Sequence, residues 1–307
     1  MWGAVLPLSP PPPGGPWLGL GALVGTSEGP STAIDTYRRL AEVYDTVYAW
    51  KDYAAEARRI RQLVLRYGPR RPQRLLDVGC GTGAHLRHLA RWFDAVGLDR
   101  SGPMLEVARE RLPGVRFVRG RMERFDLGER FDAITCLFSA IGYVRSPEDL
   151  RRTLSTFADH LAPGGVVIVE PWLFPTTYRP GSIHLGTYGS KRRPIVRMNL
   201  SDRKGRRSIM DMHYLVGEPT GVRHWVERHD MGLFSPREYR RAFAAAGLRC
   251  LFQNAGFTGR RGLFVGIKSG TPRRRSFLRA RPARVRGART PGEGPRTGTT
   301  RPRPPAG

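Results

Sequence analysis

The sequence predicts an α/β fold: a mostly parallel sheet with helices on both faces, an antiparallel last strand, and a small antiparallel β subdomain inserted into it. Three observations predict it. Short strand segments alternate with helical segments through the first two thirds of residues 31–270, and such alternation builds parallel sheets through helical crossovers. Val166–Glu170 and its counterparts read as apolar runs rather than as alternating strands, which suits burial from both sides. No helical segment separates Leu248–Phe252 from Leu263–Ile267, so these two strands should pair antiparallel.

The elements follow in order. A helix is expected from about Asp52 to Tyr67, with Ala54, Ala57, Ile60, Val64 and Tyr67 on one face and Gly68 as its stop. Arg74–Val78 is the first strand, Ala84–Trp92 a helix, and Ala95–Asp99 the second strand. Ser101 should cap a helix running to Leu112, with Pro103 near its start. Val115–Val118 and Phe131–Cys136 are the next strands. Ser146-Pro-Glu-Asp149 reads as a capping box opening a helix to Leu161. Pro163-Gly-Gly165 reads as a turn before the fifth strand, and Ser235-Pro-Arg-Glu238 as a second capping box whose helix ends at Gly247. Residues 174–230 break the alternation. Ile195–Leu200, Ile209–Val216 and Val222–Asp230 look like strands, the first two joined at Lys204-Gly205. Inserted there, they could cover the C-terminal ends of the parallel strands.

Residues 1–30 are rich in Pro and Gly and carry one charge, Glu28, while residues 271–307 are mostly Arg, Pro, Gly and Thr. Neither composition supplies a packed core, so both flanks are expected to be disordered, leaving 31–270 as the folded domain. The net charge of +26 could signal nucleic acid, but only four of the 52 basic residues are Lys. Arg dominance of that kind reflects codon composition as readily as a binding surface. No recognisable nucleic-acid reading module accompanies it, so no nucleic-acid partner is expected; a nucleotide diphosphate suits the excess charge better. No apolar run reaches the ~18 residues of a membrane helix, so no membrane partner is expected. No basic stretch precedes Leu18–Val24, so no secretory signal is read. Cys80, Cys136 and Cys250 are sparse, odd in number and lack metal-ligand spacing. A reducing, cytoplasmic location and no bound metal are expected.

The central motif is Leu75-Leu-Asp-Val-Gly-Cys-Gly-Thr-Gly83. Gly79, Gly81 and Gly83 lie between a strand and a helix, where missing Cβ atoms allow a tight turn and close approach to a ligand. Asp99 ends the second strand, where a carboxylate can accept both hydroxyls of a ribose. Gly79-x-Gly81-x-x-Ala84 also fits the dinucleotide pattern, so a nicotinamide oxidoreductase stays open at this point. Three features favour S-adenosylmethionine instead. Asp77 lies inside the first strand, near where an amino-acid ammonium would sit; Gly83 adds a third glycine; and the last strand is antiparallel.

The segment resembles motif I of the class I methyltransferases, whose sheet is Rossmann-like. Phe131-Asp-Ala-Ile and Leu161-Ala-Pro-Gly-Gly-Val-Val resemble that superfamily's later motifs. A narrower resemblance lies in Asp52-Tyr-Ala-Ala-Glu56, Phe138-Ser-Ala-Ile-Gly-Tyr143, Glu170-Pro-Trp-Leu-Phe-Pro175, Met212-His-Tyr-Leu-Val216 and Gly259-Arg-Arg-Gly-Leu-Phe-Val-Gly266. In that order they resemble the N,N-dimethyltransferases of TDP-linked amino-dideoxysugars, as in macrolide sugar biosynthesis. The similarity spans roughly residues 35–268.

The resemblance implies S-adenosylmethionine as cofactor and a TDP-amino sugar as substrate. It also implies that Tyr44, Gly79, Asp99, Met122 and Leu137 line the methyl-donor site, and that Tyr37, Trp172 and Arg261 meet the nucleotide-sugar, Arg261 at its pyrophosphate. Two positions depart from the family pattern. Arg121 stands where an acidic residue usually bonds the adenine amine, leaving only its backbone to serve. Tyr143 stands where some relatives carry His. A phenol with a pKa near ~10 is a poor base at neutral pH, so Tyr143 is assigned a positioning role first and a basic one second. Relatives are commonly dimers, which implies a homodimer here. His85, His88 and His160 sit on helices without evident partners; His213, on a strand, reads equally as substrate-facing or structural.

Overall fold

The computed structural model describes residues 33–257 and 261–270, with side chains from residue 39 onward. The expectations for residues 1–30 and 271–307 fall outside the described residues.

Capping and apolar spacing place the helices as the sequence suggests. Asp52 caps α2 (Tyr53–Tyr67), its carboxylate accepting from Ala55 N, and Ala57, Ile60, Leu63 and Val64 form the buried face. Ser101 caps α4 (Gly102–Arg111). Ser146 caps α5 (Pro147–Asp159), but its box is only half made: Asp149 turns its carboxylate to the Ser146 hydroxyl. At α6 (Pro236–Ala245) the reciprocal box of Ser235 and Glu238 is complete. Two helices differ from expectation. α1 (Ala33–Val47) precedes everything read from the pattern. The helix expected over 84–92 shrinks to α3 (Leu86–Leu89), flanked by turns, and His85 at its start supplies no side-chain cap.

The main sheet contains β1 (Arg74–Val78), β2 (Asp94–Asp99), β3 (Arg116–Arg119), β4 (Phe131–Cys136), β5 (Leu161–Val169), β10 (Leu248–Gln253) and β11 (Leu263–Lys268), in the order β10-β11-β5-β4-β1-β2-β3. β1 to β5 pair in parallel, and β11 lies antiparallel between β10 and β5. The expected turn at Pro163-Gly-Gly165 is instead a bulge inside β5. Phe131 pairs with Leu161 but Ala133 with Val166, and Gly164 takes a positive φ of 79°.

Alternate residues of each strand feed two cores. Leu75, Ala133, Val166 and Ile168 pack with Ile60, Val64, Leu86 and Leu105 from α2, α3 and α4. Leu76, Val78, Ile134, Val167 and Val169 pack with Leu154, Phe157 and Phe243 from α5 and α6. Each fully buried aliphatic or aromatic side chain contributes roughly 1.5–3 kcal/mol.

A separate antiparallel sheet follows β5: β6 (Ile183–Ser190), β7 (Arg193–Lys204), β8 (Arg207–Glu218) and β9 (Gly221–Gly232). Three strands are expected from the pattern; β6, with its Gly-rich, largely exposed residues, lacks the apolar alternation that marks a strand. The sheet packs on α1 through Leu40, Val43 and Val47 against Ile195, Tyr214 and Trp225, with Met104 of α4 joining them. One face of this sheet thereby closes over the C-terminal ends of β1, β2 and β4, where the strand order reverses between β1 and β4.

Candidate active site

A cavity of about 670 Å³ opens at that reversal point, the place where open α/β sheets bind ligands. Its floor is the glycine loop after β1. Gly79 N and Cys80 N both donate to Leu98 O, at 2.7 and 3.1 Å, pinning the loop to β2. Gly79 and Gly81 take φ of 74° and 55°. A Cβ on Gly79 would stand 2.6 Å from Ala140 Cβ, whereas one on Gly81 would meet nothing within 4 Å and would point into open space.

Asp99 stands beside the loop with both carboxylate oxygens anchored. Gly81 N donates to Oδ2 at 2.9 Å and Ser101 N to Oδ1 at 2.8 Å. Burial pushes its carboxyl pKa upward, with those two N–H groups opposing. Leu98, Met104, Met122 and Leu137 add apolar wall, and Tyr44 of α1 covers it. An open glycine cradle, an oriented carboxylate and flanking apolar surface fit a nucleoside-bearing cofactor.

The other half of the cavity begins after β4. Phe138 and Ser139 both adopt positive φ, 47° and 63°, a conformation that costs a non-glycine residue on the order of 1–3 kcal/mol. Glu170 at the end of β5 holds the first by accepting from Phe138 N at 2.8 Å, and Ser139 Oγ donates to Pro171 O at 2.8 Å. Arg261 donates to Ser139 Oγ at 2.9 Å and lies over the Trp172 ring, 4.5 Å from its centroid. The Trp172 indole N–H is tied to Ser208 Oγ on β8 at 2.9 Å. Tyr48 stacks edge-on against Phe138 and accepts from Arg197 of β7. Tyr143 reaches His229 of β9.

One cavity therefore brings together Tyr44, Gly79, Gly81, Asp99, Met122, Leu137, Tyr143, Trp172 and Arg261. Three expected cofactor residues are not on its wall. Asp77 lies behind it, accepting from Thr135 Oγ1 at 2.7 Å, and burial raises its pKa from 3.8 to about 6. Inward alternation along β1 aims it at the α2 and α3 layer. Gly83 faces α4, where a Cβ would press on Leu112 and Ala108, so its missing side chain serves helix packing. Arg121 turns to solvent and approaches Glu123 at 3.7 Å; the cavity wall takes Glu123 instead. The side chain of Tyr37 lies outside the described residues. His213 points to the exposed outer face of the small sheet, stacked on His224. Sequence reasoning misses Tyr48, Ser139, Glu170, Arg197 and His229: Ser139 and Glu170 meet because β4 and β5 end side by side, and the closure of the small sheet adds Arg197 and His229.

A family profile described as a methyltransferase domain matches residues 75–165. The dTDP-3-amino-3,6-dideoxy-alpha-D-glucopyranose N,N-dimethyltransferase of Streptomyces fradiae is 44% identical over 232 residues, 74% of this chain and 90% of that protein. The chain belongs to this family of sugar N,N-dimethyltransferases. The dTDP-3-amino-3,4,6-trideoxy-alpha-D-glucopyranose N,N-dimethyltransferase of Streptomyces venezuelae is likewise 44% identical, over 74% of this chain and 97% of its own. The crystal structure of DesVI from Streptomyces venezuelae superposes with a TM-score of 0.71 at 43% identity, covering 75% of this chain and 98% of DesVI. The amino pentose methyltransferase CalS10 from Micromonospora echinaspora, solved with S-adenosylmethionine bound, gives a TM-score of 0.68 at 38% identity, covering 74% and 97%. This chain is a methyltransferase whose methyl donor is S-adenosylmethionine.

Proposed function

We propose that this methyltransferase methylates, and then methylates again, the amino group of a TDP-linked amino-dideoxysugar. The observation that carries the reading is the single cavity shared by two sets of residues: the Gly79–Gly81 loop with Asp99 at one end, and the Arg261–Trp172 pair braced on Ser139 at the other.

At the first end, Asp99 accepts the ribose hydroxyls with the lone pairs its two backbone donors leave open. Gly79 and Gly81 let the backbone approach closely, while Tyr44, Met122 and Leu137 enclose the apolar parts. Asp77 and Gly83 support the loop from behind, and the Arg121 side chain takes no part. At the second end, Arg261 presents a guanidinium fork to the pyrophosphate, with Trp172 fixing its plane. When bound, S-adenosylmethionine supplies a methyl group on a sulfonium centre. The chain's own task is geometric: Tyr143, Trp172 and the strained Phe138-Ser139 turn hold the substrate nitrogen ~3–3.5 Å from that methyl, in line. A cavity of this size leaves room for a monomethylated nitrogen to turn for the second transfer.

Two further features belong to the same reading. Ile183, Leu185, Leu200 and Val222 are more than half exposed, and the first three lie on the outer face of the small sheet. That apolar face suits pairing with a second copy in a homodimer, which light scattering would detect as twice the chain mass. The free thiols Cys80, Cys136 and Cys250 suit a cytoplasmic setting. The decisive experiment is mass spectrometry of TDP-3-amino-3,6-dideoxyhexose after incubation with enzyme and S-adenosylmethionine. A gain of two methyl masses is expected; no gain, while S-adenosylmethionine still raises the melting temperature, would discard the substrate.

A further inference from the structure

Two ionisable side chains of the cavity wall, Tyr143 and His229, lead to a third behind it, Glu227. Tyr143, the last residue of the 3-10 turn Ala140–Tyr143, places its hydroxyl oxygen 2.7 Å from His229 Nδ1. The other ring nitrogen, Nε2, faces Glu227 Oε2 at 3.4 Å. Glu227 and His229 are successive inward positions of β9, two residues apart as the pleat requires. They are 3% and 9% exposed. Neither His229 Nε2 nor Glu227 Oε2 finishes an aligned hydrogen bond, so each depends on the other for compensation. A buried carboxylate in that position is costly unless a proton-bearing partner faces it. An imidazole that keeps its proton on Nε2 is such a partner, and Nδ1 is then free to accept the Tyr143 hydroxyl. The order phenol, imidazole, carboxylate has the logic of a hydroxyl–histidine–carboxylate triad, in which the acid sets the tautomer and favours the imidazolium.

We propose that Tyr143, His229 and Glu227 form a proton relay that deprotonates the substrate ammonium before each methyl transfer. The inference rests on the amine substrate proposed above. An ammonium nitrogen has no lone pair, so it cannot attack. Its N–H proton passes to Tyr143 Oη as the Tyr143 hydroxyl proton passes to His229 Nδ1. The amine gains its lone pair, Tyr143 stays neutral, and the imidazolium forms beside Glu227. After attack the nitrogen is again a cation. The His229 Nδ1 proton then returns to Tyr143 Oη as the Tyr143 hydroxyl proton passes to water entering the cavity, and the relay is reset for the second methyl. Tyr143 thus acts as a conductor rather than as a base, and no phenolate is required. Among the described residues, several charged and titratable groups face the relay, including Tyr48 just after α1 and Tyr214 of β8, which act on Glu227. Glu227 lies on the same strand as His229 and Tyr143 on the 3-10 turn. Arg100, after β2, sits 5.7 Å from the Tyr143 ring centroid. Asp211 of β8 acts from the outer face, where Arg228 neutralises it. Tyr44 of α1 interacts more remotely with Tyr143.

The test uses His229→Asn and Glu227→Gln in the full chain. An Asn side chain offers an oxygen near the Nδ1 position, so it can keep the Tyr143 contact while carrying no basic nitrogen. At pH 7, His229→Asn should lower kcat about 100-fold, within the usual span for lost proton transfer, with KM for the TDP-amino sugar changed less than about twofold. The deficit should shrink toward pH 9, where the free amine needs no help. A loss of the same factor at every pH would mark a merely structural link and overturn the relay. Independently of turnover, imidazole NMR should show a His229 Nε2 proton that faces the Glu227 carboxylate and whose resonance moves upfield in Glu227→Gln; an unmoved resonance would also overturn it. Should His229→Asn fail to fold, Glu227→Gln and Tyr143→Phe carry both readouts. If the wild-type enzyme methylates no TDP-amino sugar, the substrate reading falls and the relay with it. Wild-type turnover with unaltered variant profiles removes the relay alone.

Discussion

Arg261 lies over Trp172, its guanidinium carbon 4.5 Å from the ring centroid. The same guanidinium donates to Ser139 Oγ, whose backbone is left-handed, and the indole is anchored on Ser208. A side chain just before β11, one just beyond β5 and a strained turn after β4 are thereby locked together. Burial lowers the Arg261 pKa, with Glu170 and Tyr48 opposing, yet a guanidinium stays charged throughout the working range. A fixed, partly desolvated cation is well suited to a pyrophosphate.

Arg261→Lys is therefore expected to behave as a severe change. An ammonium cannot form the fork or stack on the indole, so KM for the nucleotide-sugar should rise about 10–100-fold, corresponding to ~1.4–3 kcal/mol. Affinity for S-adenosylmethionine should stay near wild type. Steady-state kinetics with calorimetry of cofactor binding separates the two. An unchanged KM would remove Arg261 from the substrate end of the cavity.

Asp99→Asn tests the other end. Gly81 N and Ser101 N donate to opposite oxygens of Asp99, so the amide nitrogen of Asn must face one of these donors. One buried N–H loses its acceptor, at about 1–3 kcal/mol, and the acceptor proposed for the ribose is lost. Calorimetry should show S-adenosylmethionine affinity falling about 10–100-fold. Binding at wild-type strength would mean that the ribose is held elsewhere.

Gly79→Ala and Gly81→Ala should differ in kind. Both positions have positive φ, costing an L-residue roughly 1–2 kcal/mol. Only at Gly79 does the new Cβ also collide, 2.6 Å from Ala140 Cβ. Gly79→Ala should lower Tm by roughly 5–10 °C, at ~2–4 °C per kcal/mol for a domain of this size. Gly81→Ala should lower it by about half as much, but should lose most of the Tm rise that S-adenosylmethionine gives the wild type, because its Cβ enters the cavity. Thermal melts with and without cofactor read both effects, and equal Tm losses would contradict the geometry.

Asp77 predicts a pH dependence of stability. Its carboxyl holds its proton to about pH 6 in the folded protein, against 3.8 for a free carboxyl, chiefly because it is buried. Between those values the folded state binds more protons than the unfolded state, so this group's contribution falls as pH rises from about 4 to 6. The fall amounts to about 3 kcal/mol at 1.36 kcal/mol per unit. Asp77→Asn has no carboxylate to lose a proton. Its stability relative to wild type should therefore rise across that window, as measured by urea unfolding at pH 4.5 and pH 8. A difference that is flat with pH would place the Asp77 titration elsewhere.

Much of this protein is legible locally. The parallel strands, the Ser101 and Ser235 caps and the antiparallel closing pair follow from apolar runs and cap chemistry, which depend on near neighbours. The glycine loop and Asp99 are legible for the same reason: backbone freedom and a strand-end carboxylate carry their meaning within a short segment. Elements without such marks stay hidden, as β6 does with its exposed, Gly-rich residues, and the bulge in β5 looks like a turn because Pro and Gly serve both. The sequence by itself determined the sheet, the glycine loop at its reversal point and the family. Only the tertiary structure decided which side of β1 Asp77 faces, that Gly83 serves helix packing, and that Glu123 rather than Arg121 reaches the cavity wall. It alone brought His229 to Tyr143 and Arg261 to Ser139, because each pair meets where the small sheet or the last strand pair returns across the ends of the parallel strands, and no local rule of residue spacing reports such a return.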